Sequence, residues 1–168
     1  MRGLFLGAVL TVLVLAGAGY LFLIAGGISL ATTATPLPGE EKVAKIALRA
    51  SIGSAREVKN PLTVDETNLL AAAHTYNENC AICHSGPGHP KTAVAKGMFP
   101  PPPQLFDKED MVTDDPEGVT YWKLTHGIRL SGMPGFGGTL SDTERWQLVL
   151  LLSHADRLPP PVQAALSR

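Results

Sequence analysis

The chain has 168 residues, a single domain's length with room for attachments, and a formal net charge of −1. Its basic residues are neither numerous nor clustered with aromatics, which excludes nucleic acid as a partner. Hydrophobic residues make up 45% of the sequence, and much of that share sits in the first thirty positions.

From Leu4 to Leu30 there is no charged residue. A helix of that length extends about 40 Å, enough to cross a hydrocarbon core of about 30 Å with some tilt. Residues 1–30 therefore read as a membrane anchor. The competing reading is a cleaved secretory signal, whose apolar region is usually shorter and ends in a small-residue site; Ala31 to Ala34 matches that poorly. Arg2 is the sole positive charge before the run and none follows until Lys42, so the amino terminus points inward and the rest lies on the periplasmic side.

Residues 31–62 read as a linker. Ala31 to Gly39, with Pro36 and Pro38, is turn-rich and suits an extended spacer. Glu41 to Ile52 then places Val43, Ile46, Ala47 and Ala50 on one helical face with Lys42, Lys45 and Arg49 around it, an amphipathic helix for lipid headgroups, a partner subunit or simply solvent. Asn60-Pro61 ends this segment.

The folded domain is expected over 63–168. Thr63 and Glu66 form a capping-box pattern, and Leu69, Leu70, Ala73 and Tyr76 continue at helical spacing to about Asn79. Cys80-Ala81-Ile82-Cys83-His84 follows. Two thiols three residues apart, with an imidazole directly after the second, suit thioether attachment of a haem whose iron takes that histidine as axial ligand. A zinc site needs two further ligands at matching spacing, and no second half-site lies downstream. A redox dithiol expects a strand before the motif and a βαβ pattern, which are missing.

On these residues the stretch from about Thr63 to Leu158 resembles the class I c-type cytochromes, which implies an all-α haem domain behind a single amino-terminal transmembrane helix. Tyr76, four residues before Cys80, matches an aromatic that this family packs against its last helix. The family's usual glycine four residues earlier is Ala72 here, which implies a crossing wider by a methyl group.

Ser85 to Phe106 has no periodicity, is rich in Gly and Pro, and reads as loop. The resemblance implies that Pro103-Gln104-Leu105 matches a Pro-x-Leu element: the proline carbonyl accepts the Nδ1 hydrogen of the haem histidine and the leucine covers the haem face. Asp107 to Glu117 carries six acidic residues and reads as a solvated loop. Asp115-Pro116 reads as N-cap and first position of a helix to about His126, stopped by Gly127.

Ser131 to Gly138 presents Met133 in glycine-rich backbone able to run close over a flat macrocycle. In the resembled family the distal methionine lies in such a Gly-Met-Pro context, which implies Met133 as sixth ligand. His126 is the rival, and bis-histidine ligation would lower the potential. Met98 and Met111 read as core filler, and His74, His89 and His154 as surface residues. Trp122, Arg129 and Tyr121 are propionate partners by residue type and location.

Ser141 and Glu144 form a second capping-box pattern opening a helix from Asp142 to about His154. It is apolar around most of its circumference, so one face should cross the first domain helix near Tyr76 and the other meet the membrane-proximal segment or a partner. Leu158 to Pro161 ends the domain, and the remaining residues have room for one further turn.

With His84 and Met133 filling both axial positions, the iron has no open site, which points to outer-sphere one-electron transfer and away from enzyme catalysis. Residues 64–168 hold eight Lys and Arg against twelve Asp and Glu, so a lysine docking ring is not expected. The expected function is a membrane-tethered carrier, with one covalent haem c, between respiratory or photosynthetic complexes. The alternatives are a fixed haem subunit of a larger membrane oxidoreductase, and an enzyme or gas sensor with displaceable Met133. Membrane lipid and membrane-bound redox complexes are the expected partners.

Overall fold

The computed structural model describes residues 2–166, and its chain divides into two units, Met1–Thr35 and Pro36–Arg168. Among the described residues every regular element is helical, apart from one isolated antiparallel bridge between Ile128 and Met133.

The first unit holds α1 (Arg2–Ile24), 23 residues with an 18-residue stretch of mean hydropathy 2.3 and no buried side chain. By length and composition it can cross a membrane, a test that a signal sequence near the amino terminus also passes. The helix stops at Ile24, six residues short of the uncharged run, because the backbone turns at Ala25–Gly27. Its length of about 35 Å still spans a bilayer core.

The second unit begins inside the stretch read as linker. Helix α2 (Glu40–Ile52) leaves Val43 and Ile46 well exposed and buries Ile52. A 3₁₀ turn, Gly53–Glu57, then packs on α6 (Glu117–His126). Gly118 of α6 makes this possible: a Cβ there would stand 2.0 Å from the Ala55 carbonyl oxygen and 2.9 Å from that of Val58. Asn60 fastens the end of the strap. Its side-chain amide donates to the Trp146 carbonyl at 2.9 Å, and its backbone N–H donates to the Glu117 carboxylate at 3.1 Å. Residues 52–60 are thus packed onto the helical domain, where the sequence had suggested a tether.

Helix α3 (Glu66–Asn79) is capped by Asp65, not Thr63. The Asp65 carboxylate accepts the Asn68 N–H at 2.8 Å, while the Thr63 hydroxyl donates to Asp65 at 3.0 Å. A carboxylate at a helix N-terminus is the stronger acceptor and also meets the dipole, so the aspartate displaces the expected box. Helix α7 (Asp142–Ser153) does start at the Ser141–Glu144 capping box. Leu69, Ala72, Ala73 and Tyr76 of α3 join Leu148 to Leu152 of α7 in the core, all at most 4% exposed. The Ala72 methyl is fully buried there. The other side of α7, expected to meet the membrane-proximal segment or a partner, packs on α6, with Asn60 touching at Trp146.

Two further helices were not foreseen at their observed length. Thr92 caps α5 (Ala93–Gly97) within the proline-rich stretch read as loop, and α8 (Pro160–Leu166) makes two turns instead of one. Val162 and Leu166 of α8 are buried, and Asn77 of α3 donates to the Ala165 carbonyl at 2.7 Å. At α6 the cap is Pro116, with ψ at 131°, and the helix begins one residue later than expected; Asp115 instead accepts from Lys123 at 3.3 Å.

Candidate functional site

Cys80 closes α3 and opens the single turn α4 (Ala81–His84), since the Cys83 and His84 N–H groups both donate to its carbonyl, at 3.0 and 2.9 Å. Both thiols are free; Cys80 is buried and Cys83 half-buried. Burial, and then the neighbouring Cys83, pushes Cys80 up to about 12. It is therefore a thiol at neutral pH, whereas a redox dithiol works through a thiolate of depressed pKa.

Directly after His84 the chain reverses at Ser85, which has φ of 55°. Two bonds hold that turn: the buried Tyr76 hydroxyl donates to the Ser85 carbonyl at 2.8 Å, and the Ser85 hydroxyl donates to the Pro90 carbonyl at 3.1 Å. Tyr76 also meets Phe106 edge-on, with centroids 5.1 Å apart. Burial raises its phenol well above the ordinary value.

The His84 ring lies 2.7 Å, through Nδ1, from the Pro103 carbonyl oxygen. A carbonyl only accepts, so Nδ1 carries the hydrogen and Nε2 keeps the free lone pair. Burial lowers the His84 pKa, and the Pro103 bond opposes that in part. Gln104 is buried, its backbone N–H donating to Asp110 at 2.8 Å and its side-chain amide to the Pro102 carbonyl at 3.2 Å. One residue of the acidic loop thus orders the Pro103 element instead of facing solvent. Leu105 is buried in the cluster that contains Cys80 and Tyr76.

Met133 is half-buried and packs against that same cluster. Its loop is a narrow hairpin: the Ile128 N–H donates to the Met133 carbonyl at 3.1 Å, Phe136 to Leu124 at 2.8 Å and Gly137 to Thr125 at 3.0 Å. The loop's glycines serve this seam. Cβ atoms at Gly127, Gly135 and Gly137 would all meet backbone atoms of the facing arm at 2.6–2.9 Å. The sequence marks these glycines but not this seam, because the facing arm is invisible before folding.

The other suggested residues are placed apart. His126 is exposed against the Trp122 ring, with centroids 4.9 Å apart, and Arg129 is exposed. No hydrogen bond among the described residues joins Trp122 or Arg129 to the Cys80–His84 turn. Tyr121 is engaged elsewhere: its hydroxyl donates to Asp142 and its ring stacks on Trp146 at 3.9 Å. The methyl of Met98, read as filler, lies against Gly132 beside Met133.

Helix α3, the Cys80–His84 turn, the Pro103 element, the Met133 loop and α7 thus form one continuous arrangement. The family model described as cytochrome C oxidase, cbb3-type, subunit III matches residues 67–152, which run from the first turn of α3 to the last turn of α7 and take in the Cys80–His84 turn, the Pro103 element and the Met133 loop. The chain belongs to this family. Comparison with curated proteins finds no match. As a class I c-type cytochrome-like domain, the cbb3 subunit III domain carries a haem-based electron-transfer role. Its donor set fits that group: two free thiols, one imidazole with Nδ1 engaged and Nε2 free, and one thioether packed on the same apolar cluster. Among the described residues no three His, Cys, Asp or Glu side chains gather as a bare-ion site. Ser85 and Gln104, which hold the turn and the Pro103 element, were missed because nothing in their type or spacing marks them.

Proposed function

We propose that Cys80 and Cys83 hold one haem c through thioethers, that His84 and Met133 are its axial ligands, and that the chain passes single electrons at a membrane to which α1 anchors it, with the domain on the periplasmic side. The observation that carries this is the 2.7 Å contact from the Pro103 carbonyl to His84 Nδ1, in the turn that bears both free thiols. When bound, the haem supplies a one-electron iron couple. The chain's residues set its surroundings. Pro103 fixes the tautomer that leaves Nε2 as ligand, Tyr76 and Ser85 hold the turn behind it, Leu105 covers an apolar face, and the sealed hairpin presents the Met133 thioether. Trp122 and Arg129 are the side chains assigned to the propionates.

With His84 and Met133 both holding it, the iron would offer no place for a substrate and would supply outer-sphere one-electron chemistry. The family description is that of an oxidase subunit, and α2 rides on a strap fastened to the domain instead of swinging freely. Both features support a fixed subunit of a membrane oxidase over a mobile carrier. Co-purification with a larger assembly after mild detergent extraction supports the subunit reading; recovery of the chain alone supports the carrier.

The decisive experiment compares reduced-minus-oxidised spectra of the full-length wild type, Met133→Ala and Met98→Leu, made with working haem-attachment machinery. We expect pigment that resists acid acetone, and a far-red thioether-to-iron band lost only in Met133→Ala. Pigment extracted by acid acetone, or a band that survives in Met133→Ala, would overturn the assignment.

A further inference from the structure

Arg145, in the first turn of α7, is 9% exposed although it carries a permanent charge. One terminal nitrogen donates to Asp142 at 3.2 Å, and the guanidinium lies 5.5 Å over the Tyr121 ring. Its Nε is buried without a hydrogen-bond partner. Its other terminal nitrogen would stand 3.1 Å from a Cβ at Gly137, so the guanidinium lies against the arm of the Met133 hairpin that pairs with Thr125. Tyr121 completes a clasp between α6 and α7, bonded to Asp142 and stacked on Trp146. For global stability alone this is a poor use of an arginine. An unbranched apolar side chain would fill the space without a desolvated charge and an unpaired Nε.

We propose that Arg145 is a positioning residue for Met133: wedged between Tyr121 and Gly137, it keeps the hairpin seam shut and so keeps the thioether at its post. This rests on Met133 being the sixth ligand. A small ligand entering at the iron must wait for the hairpin to open, so its apparent affinity is reduced by the fraction of open loops. Loosening the clasp raises that fraction while the α3–α7 core stays intact.

The test uses the full-length oxidised holoprotein, titrated with imidazole, for wild type, Arg145→Met, Arg145→Lys and Val162→Ala. Val162 lies on α8 and serves as a control for general destabilisation. Amide exchange at Phe136 and Gly137 is measured alongside, and guanidinium unfolding gives global stability. In Arg145→Met we expect imidazole to bind about tenfold more tightly and exchange at both amides to quicken, with an unfolding midpoint no lower than wild type. Arg145→Lys falls between, and Val162→Ala lowers the midpoint without moving the titration. An Arg145→Met titration within about twofold of wild type, or one that shifts no more than Val162→Ala, overturns the inference. If the wild type shows no Met133-dependent band, it is the ligand assignment that fails. The two amides then decide alone, quickened exchange supporting the clasp and unchanged exchange rejecting it.

Discussion

Gly118→Ala tests whether the strap is part of the domain. The added methyl would stand 2.0 Å from the Ala55 carbonyl oxygen, so strap and α6 must separate by about 1 Å. A backbone carbonyl cannot rotate away as a flexible side chain can. Separation breaks the two Asn60 hydrogen bonds, to Trp146 and Glu117, at about 1 kcal/mol each. It also exposes Ile52, 8% accessible in place, at about 2 kcal/mol. Against that total of about 4 kcal/mol, alanine improves helix propensity by about 1 kcal/mol and the freed strap recovers about 1 kcal/mol of backbone entropy. The net cost is about 2 kcal/mol, an increase of about thirtyfold in the open population. Arg56 and Lys59 are exposed sites within the strap, so tryptic cleavage there should quicken by a similar factor while haem absorbance stays unchanged. Cleavage at the wild-type rate, with an unfolding midpoint equal to wild type, would refute the packing argument.

Tyr76→Phe keeps the ring against Phe106 but leaves the buried Ser85 carbonyl without its donor, at a cost of about 1–3 kcal/mol in guanidinium unfolding; a loss below about 0.5 kcal/mol would show that the bond does not hold the turn after His84. The third expectation concerns acid. Carboxylates at the start of α3 and α7 are held below their ordinary values: Asp65 by the Asn68 N–H, Asp142 by the Tyr121 hydroxyl and Glu144 by the Ser141 side chain. Because their folded values are depressed, the stability they contribute is present above the ordinary carboxylate range of about 4 and is lost as pH falls through the lower folded values. Unfolding midpoints measured from pH 7 to pH 3 should fall at the acid end and fall less in Asp65→Asn with Glu144→Gln; a wild-type midpoint constant to pH 3 contradicts the assignment.

How much of the site could be read in advance depends on how far apart its parts lie along the chain. Cys80, Cys83 and His84 lie within one five-residue stretch, and their spacing is itself the chemical signal. The Ser141–Glu144 box is equally local, because both of its bonds close within four residues. Thr63 shows the limit of such reading: a better acceptor two residues on took the cap, a competition that a pattern match does not weigh. Two roles that went unseen act across distance, Asn60 on Trp146 over 86 positions and Gln104 on Cys83 over 21.

By itself the sequence determined the apolar amino-terminal run, the thiol and imidazole motif and the periodicity of the helices, because each depends on spacing within one or two turns. Only the tertiary structure decided that residues 52–60 close onto α6, that Asp110 orders the Pro103 element and that Arg145 lies against the methionine hairpin. Those outcomes depend on which backbones approach closely enough to exclude a methyl group or to bury a charge, and that distance exists only after α3, α6 and α7 have packed.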